Sequence, residues 1–280
     1  MNREKRTFKK GSVTFFTSSL FFPRSVREDV FDLYSFVRTA DDYVDQAPPN
    51  GNGFYQLRRI WDVAAKSQTF DTSNKDDDAI DLRATKNMLR VARKHKIDLA
   101  WVEAFLDAMQ SDLIKNKYQT IDDTLSYVYG SAEVIGLMMS RIMDLPEEAN
   151  TAAMMQGRAM QMINFIRDLE EDNQLSRQYF PDEDLQRFNL KDLSRQTAQA
   201  QPEEFNKFIQ FQISRYKEWQ TTAEEGYKYI PKRLRISVQT AADMYKWTAK
   251  EIEKRPITVF EKKIKPTKPR ILKSILTNIA

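Results

Sequence analysis

The sequence contains no cysteine and a single histidine in 280 residues. Without thiols there are no disulfides and no thiolate-bound metals, and a reducing compartment is the expected setting. The one histidine, His95, stands among lysines in ARKHKIDL. It reads as a solvated side chain, and a lone imidazole is a poor basis for a His-built zinc site or a Ser–His–Asp triad. Glycine is also scarce, at seven residues against ten prolines, so tight turns are few and long helices are favoured. No run of about 18 apolar residues occurs, and no apolar segment with a cleavage site follows the basic start MNREKRTFKKGS. A cytoplasmic protein that does not span a membrane is expected. Nor does one sign of charge dominate. Lys and Arg number 44 against 40 Asp and Glu, a net +4. That balance admits an anionic ligand or an acidic membrane surface, and gives no reason to expect nucleic acid.

What is present is helical periodicity. Between Arg24 and Asp45 the apolar residues Val26, Val30, Phe31, Leu33, Tyr34 and Val37 recur at steps of three and four. Similar patterns predict helices over 54–65, 78–95, 99–116, 131–145, 147–172, 202–229 and 231–253, the last with Pro231 at its start. Residues 178–190 read as a loop. No alternating strand pattern, linker or repeat interrupts the series, so the expectation is all-α, one domain over residues 1–280. The tail from 254 to 280 is basic with interspersed apolar residues. It reads as a solvated terminus, with a peripheral patch for anionic lipid as the alternative.

Two acidic strings stand out. In RTADDYVDQ, Asp41 and Asp45 share one helix face, with Arg38 one turn and Tyr34 two turns earlier, and Asp42 beside them. In QMINFIRDLEEDNQ, Gln161, Asn164, Asp168 and Asp172 follow one another along a polar stripe, while Met162, Ile163, Phe165, Ile166 and Leu169 supply packing elsewhere. Like charges at i, i+4 repel by a few tenths of a kcal/mol on an exposed helix, and by more when buried. A divalent cation turns that repulsion into a binding site. Mg²⁺ prefers oxygen ligands and commonly joins one or two carboxylates to substrate phosphates. A single acidic string with a nearby Arg is usually a solvated helix face. The second string, with amides on the same stripe and apolar flanks, favours a paired metal–diphosphate site, with Arg38 and Arg167 as candidates for phosphate oxygens.

These residues carry a resemblance. The chain resembles the squalene/phytoene synthases from about Ser12 to Leu272. RTADDYVDQ is similar to the first aspartate-rich motif of that family, and QMINFIRDLEEDNQLSRQYFP to the second, including the trailing Arg177, Tyr179, Phe180 and Pro181. YVYGSAEVIGLMM resembles the family's central helix, with Gly130, Ala132 and Gly136 small where a prenyl chain would pass. GSVTFFTSS stands in the place of the N-terminal segment that helps bind diphosphate, which points to Ser12 and Thr14, although Val13 replaces a common Lys. AADMYKWTAKEI and RPITVFEKK are similar to the phytoene synthase end of the family and point to Tyr245 as a cavity residue.

The resemblance implies an isoprenoid-synthase helical bundle around a central apolar cavity, and head-to-head joining of two prenyl diphosphates. Mg²⁺, or Mn²⁺ in its place, would be held by Asp41, Asp45, Asn164, Asp168 and Asp172. Diphosphate loss would give an allylic cation, the second substrate would attack it to give a cyclopropylcarbinyl diphosphate, and a second ionisation would lead to the hydrocarbon. Tyr34, Tyr127 and Tyr245 would stabilise cations or move a proton. Ser12, Thr14, Arg38, Gln161, Asn164, Arg167, Arg177 and Tyr179 would contact substrate. Two geranylgeranyl diphosphates giving phytoene is the favoured reaction, and squalene or dehydrosqualene synthesis from farnesyl diphosphate is the alternative. GNGFYQ carries no dinucleotide fingerprint, so NADPH is not expected. A monomer is expected. Two further readings compete. A non-catalytic helical protein binding membrane or RNA would not need two matched acidic strings. A head-to-tail elongase or terpene cyclase would not need the Gln–Asn–Arg–Asp–Tyr context of the second.

Overall fold

The computed structural model describes residues 13–45, 51–67, 70–71 and 79–279. Among these residues helices form the whole framework. The only β-type contact is an isolated parallel bridge between Lys117 and Gln178.

Helix α1 (Val13–Ser19) leads into α2 (Arg24–Val44), whose stripe Val30, Leu33, Phe36, Ala40 and Val44 is buried. The helix packs on α3 (Asn52–Lys66), α4 (Ile80–His95) and α5 (Leu99–Ser111). Trp61 of α3 fills the junction, its ring 5.3 Å from Phe36 and its Nε1 donating to Glu103 of α5 at 2.7 Å. The large ring is buried without leaving its one donor unpaired. His95 departs from the solvated role expected of it. Its Nε2 lies 2.8 Å from Asp29 Oδ2, and Lys94 and Arg90 reach the same buried carboxylate at 2.6 and 3.0 Å. An acid sealed between α2 and α4 gathers every cation within reach.

Helix α5 stops at Ser111 rather than running to Asn116. Asp98 caps its start by accepting from Ala100 N at 2.9 Å. Its end tightens into the short-range bonds Leu113 N→Gln110 O and Ile114 N→Ser111 O, which swing Asp112 inward. Helix α6 (Ile121–Val128), capped by Thr120, widens into a π-turn over Tyr129–Glu133 before α7 (Val134–Ile142). A short 3₁₀ turn at Glu147–Ala149 precedes α8 (Asn150–Arg167), and α9 (Leu169–Gln174) follows after a break. The unbroken helix expected over 147–172 is therefore interrupted at Asp168 (φ −101°, ψ 14°). Bonds Asp168 N→Asn164 O and Asp172 N→Asp168 O, both 2.9 Å, carry the four-residue spacing across the break. Within the expected loop, α10 forms over Asp182–Arg187.

Helices α11 (Arg195–Ala200), α12 (Pro202–Glu225) and α13 (Lys232–Lys254) complete the bundle, with a 3₁₀ turn at Gly226–Tyr229 between the last two. The centre is α8, which packs on α7, the π-turn, α12 and α13. Two glycines set that distance. A β-carbon on Gly136 would stand 2.1 Å from Ala153 O, and one on Gly157 would stand 2.3 Å from Ala132 O. Gly130 serves a similar purpose against Ala104 O. It lies away from the cavity, so its small size reflects helix contact rather than passage of a chain. The C-terminal segment is also more ordered than a solvated tail. Helix α14 (Lys268–Ile279) buries Ile271 and Ile275 against Met244 of α13.

Candidate active site

A cavity of about 330 Å³ runs beside α8. Its walls come from α1, α2, the π-turn, α7, α8, the end of α12 and α13. From Ala152 to Asn164 the lining residues of α8 extend over about 18 Å at the helical rise. Most of the wall is aliphatic, thioether or alanine, including Leu33, Val37, Ile135, Met139, Met160 and Ala241.

One end is polar, and there the structure assembles four of the expected residues. Tyr34, Gln161, Asn164 and Tyr245 all line it. Tyr245 Oη donates to Asn164 Oδ1 at 3.2 Å, and Asn164 Nδ2 donates to Gln161 Oε1 at 3.1 Å. The chain order Gln161–Asn164, one turn apart on α8, makes that amide pair local, whereas Tyr245 arrives from α13.

The acidic strings meet beside this end. Arg177, 6% exposed, joins them. It follows the second string in the chain, yet its Nη1 donates to Asp45 Oδ1 at 2.7 Å and its Nη2 to Val44 O at 2.7 Å. Its backbone N–H donates to Asp172 O at 2.8 Å. A guanidinium fork committed to a carboxylate and a carbonyl acts as a strut between the two strings. Arg38 is likewise engaged, at 2.7 Å from Asp41 Oδ2 and 2.5 Å from Asp42 Oδ1. Arg167 grips Asp168 with Nε→Oδ1 at 2.9 Å and Nη2 to Oδ2 at 2.5 Å.

The electrostatics divide the acids into two kinds. Burial pushes Asp168 up, but Arg167 and then Lys263 outweigh it and hold the carboxyl below the usual range. Lys263 Nζ stands 3.2 Å from Asp168 Oδ1 and also pairs with Glu171. Asp41 is different. Burial first, then repulsion from Asp45, carries it up to about 7 against the pull of Arg38. Asp172 is raised well above its ordinary value by burial, with Asp168, Asp45 and Asp112 adding repulsion that Arg177 only partly relieves. The influence of Asp45 on Asp172 places acids of the two strings near one another. Each string thus keeps one acid whose charge its neighbours leave undercompensated, which suits a cation.

The donor set fits magnesium. Every donor is a hard oxygen, from carboxylates or the Asn164 amide. Among the described residues no three acidic or histidine side chains are already gathered as a metal-ligand group. A Mg²⁺ site completed by water and substrate phosphate needs only one or two carboxylates.

Two expected residues sit elsewhere. Tyr127 and Tyr179 do not line the cavity. Their rings stack 5.0 Å apart, and their hydroxyls both donate to Asp112, at 2.8 and 3.0 Å. Burial drives both phenols well up, with the Asp112 charge adding to the effect. Asp112 itself is raised by burial to about 6 although Arg177 lowers it. Ser12 lies outside the described residues, as does the side chain of Thr14. Sequence reasoning passed over two residues of this region. Asp112 is the acid that follows the helical segment AFLDAMQS, and Lys263 is one lysine among many in EKKIKPTK. Only the position of Asp112 after that segment gave any signal.

Acidic strings beside a helix-walled, largely apolar cavity define a class of site, one suited to a ligand with a charged head and a hydrocarbon tail. The Squalene/phytoene synthase family profile matches residues 8–270, and the chain belongs to that family. It is similar to the 15-cis-phytoene synthase of Synechococcus elongatus, 25% identical over 263 residues, covering 89% of this chain and 82% of the relative. It is also similar to the 15-cis-phytoene synthase of Enterobacter agglomerans, 29% identical over 245 residues and covering 84% and 80%. Among solved structures, a dehydrosqualene synthase bound to a ligand superposes with a TM-score of 0.82 at 21% identity, over 98% of this chain and 93% of that one. A squalene synthase from Alicyclobacillus acidocaldarius gives 0.72 at 20%, over 90% and 92%. The fold is the all-α isoprenoid-synthase fold, and the chain is a prenyltransferase-type enzyme.

Proposed function

We propose that the protein joins two prenyl diphosphates head to head, taking geranylgeranyl diphosphate and releasing phytoene. The observation that carries this reading is a largely apolar cavity lined at one end by Tyr34, Gln161, Asn164 and Tyr245, beside two acidic strings that Arg177 ties together and in which Asp41 and Asp172 both feel repulsion from Asp45. The similarity to proteins named 15-cis-phytoene synthase supports the choice of substrate.

Asp41, Asp45, Asp168, Asp172 and Asn164 would hold Mg²⁺, with Mn²⁺ as a substitute. When bound, the metal supplies positive charge to the leaving diphosphate oxygens. The protein does the rest. Arg38 and Arg167 hold Asp41 and Asp168 in fixed orientations and keep further N–H groups beside the place where phosphate oxygens would lie. Arg177 keeps the C-terminal end of the first string against the second. The aliphatic and thioether wall excludes water, so an allylic cation formed there meets the second substrate's double bond before it meets a hydroxyl. Tyr34 and Tyr245 line the polar end, Tyr245 with its hydroxyl on Asn164. They stabilise positive charge and take part in the final proton loss. Tyr127 and Tyr179 act from behind the wall, by fixing Asp112 and the position of Arg177. No NADPH is required.

The test is incubation of the purified protein with Mg²⁺ and either geranylgeranyl or farnesyl diphosphate, with and without NADPH, followed by mass identification of the hydrocarbon. Phytoene from the longer substrate is the expected product. A C30 hydrocarbon made only from farnesyl diphosphate would assign the squalene or dehydrosqualene reaction instead.

A further inference from the structure

Half of the large apolar side chains left exposed among the described residues fall in two places. Leu20 and Phe21 directly follow α1, and Leu272, Leu276 and Ile279 lie on α14. Helix α14 packs on α1 and α13, both of which turn other residues into the cavity. Its inner face is accounted for. Ile271 and Ile275 are buried, while Ser274 and Asn278 donate to Asp243 of α13 at 2.7 and 3.0 Å.

At 100° per residue, Leu272, Leu276 and Ile279 fall in a second row, rotated roughly 80–140° from Ile271. They are 54%, 61% and 46% exposed. Lys268 lies on one side of that row and Lys273 on the other, both exposed. The segment 262–273 carries six basic residues and no acid. A helix with one apolar face buried in protein, a second apolar row in the open, and lysines flanking that row has the pattern of an interfacial helix. Its lysine stems lie along the hydrocarbon boundary and their ammonium groups reach anionic head groups. The neighbouring apolar pair continues inward, since Phe22, next to exposed Phe21, lines the cavity.

We propose that the outer row of α14, with Leu20 and Phe21, is a docking surface for an anionic lipid bilayer, turning the α1 side of the cavity toward the membrane. The charge of the segment selects anionic lipid over a second copy of the same chain, because two such surfaces would bring like charges together. The proposal rests on the reading of a prenyl substrate only for its purpose, so its test separates the two.

The full-length protein is sedimented with vesicles of phosphatidylglycerol mixed with phosphatidylcholine, and with phosphatidylcholine alone. Turnover is measured in parallel with substrate in detergent and with substrate carried in the vesicles. The parent should pellet with the anionic vesicles, more weakly as salt is raised, and little with the neutral ones. A Leu272→Ser/Leu276→Ser variant should lose at least about tenfold in partitioning, the two leucines being the main area transferred from water. That variant should keep parental turnover in detergent and lose it selectively with vesicle-borne substrate. Lys268→Gln/Lys273→Gln should weaken binding to anionic vesicles while retaining the same detergent activity. Equal partitioning of parent and leucine variant would overturn the proposal, as would parent binding indifferent to lipid charge. A parental dimer in sedimentation velocity that the leucine variant dissolves would also overturn it, by assigning the row to a second copy. Absence of turnover in detergent for every form, with vesicle binding intact, would instead defeat the reading of the substrate and leave the surface standing.

Discussion

The two acidic strings are built alike in sequence and treated differently by the fold. In the first, at the C-terminal end of α2, Arg38 lies on the same helix and pairs with Asp41 and Asp42, while Asp45 is answered from afar by Arg177. In the second, across the break between α8 and α9, Asp168 is answered by its neighbour Arg167 and by distant Lys263. Asp168 ends below the usual carboxyl range, whereas Asp41 and Asp172 end above it. A repeated local spacing therefore produces unequal acids, because the cations that settle each charge come from other segments. The acids left high would gain most from a divalent cation, whereas Asp168 is held ionised by Arg167 and Lys263 before any metal arrives.

The sharpest way to break that contrast is to remove one high acid. Asp172→Asn should lower turnover by a thousandfold or more through the lost metal-binding charge. It should leave the helical circular dichroism unchanged and the melting temperature of the metal-free protein equal or higher, since a repelled charge has gone. Near-parental activity in that variant would remove Asp172 from the site.

Next in size is the strut. Arg177→Met should cost about 2–4 kcal/mol of stability, because Val44 O and Asp45 lose their partner near the buried Asp112. Denaturant unfolding measures this directly. Arg177→Lys should recover part of the stability but not the fork to Asp45 and Val44 O. If the methionine variant matched the parent in stability, the strings would be held together by packing alone.

The pH dependence is smaller and sharpens the contrast. With its folded pKa raised to about 7, Asp41 favours the folded state fully below the ordinary carboxyl pKa, and that contribution is lost as pH rises through about 7. Asp168, held low, acts in the opposite sense and only in acid, its contribution fading as pH falls below the ordinary value. Between about pH 4 and 7 the metal-free protein should therefore lose stability from the Asp41 contribution as pH rises. Asp41→Asn should reduce that slope in a melting-temperature series, with Asp172 and Asp112, also raised, carrying the remainder, and Mg²⁺ with inorganic diphosphate should oppose it for the parent. The least effect is expected at Lys263. Lys263→Ala removes one of two cations at Asp168 and should change the apparent Mg²⁺ requirement only a few-fold, because Arg167 keeps both of its bonds to the acid.

Much of this was legible in the chain itself. Periodicity located α2, α4, α12 and α13 to within a few residues, since a helix that buries one face must repeat its apolar positions. The amide stripe of α8 could be read for the same reason, and Gln161 and Asn164 do face the cavity. The break at Asp168 could not, because the apolar and polar spacing runs on unchanged across it. Tyr127 and Tyr34 looked equivalent as helical tyrosines near a motif. In the fold Tyr127 is engaged by Asp112 and packed on Tyr179 and Phe165, while Tyr34 lines the cavity.

By itself, then, the sequence determined where the long helices α2, α4, α12 and α13 form, which of their faces are apolar, and that two carboxylate pairs would each repel internally. These follow from local geometry and from solvent. Tertiary structure alone decided which acids are neutralised, which tyrosines reach the cavity, and that the C-terminal helix buries one apolar row while leaving another in the open. Charge compensation and burial depend on groups brought close by folding, and spacing along one helix carries no information about them.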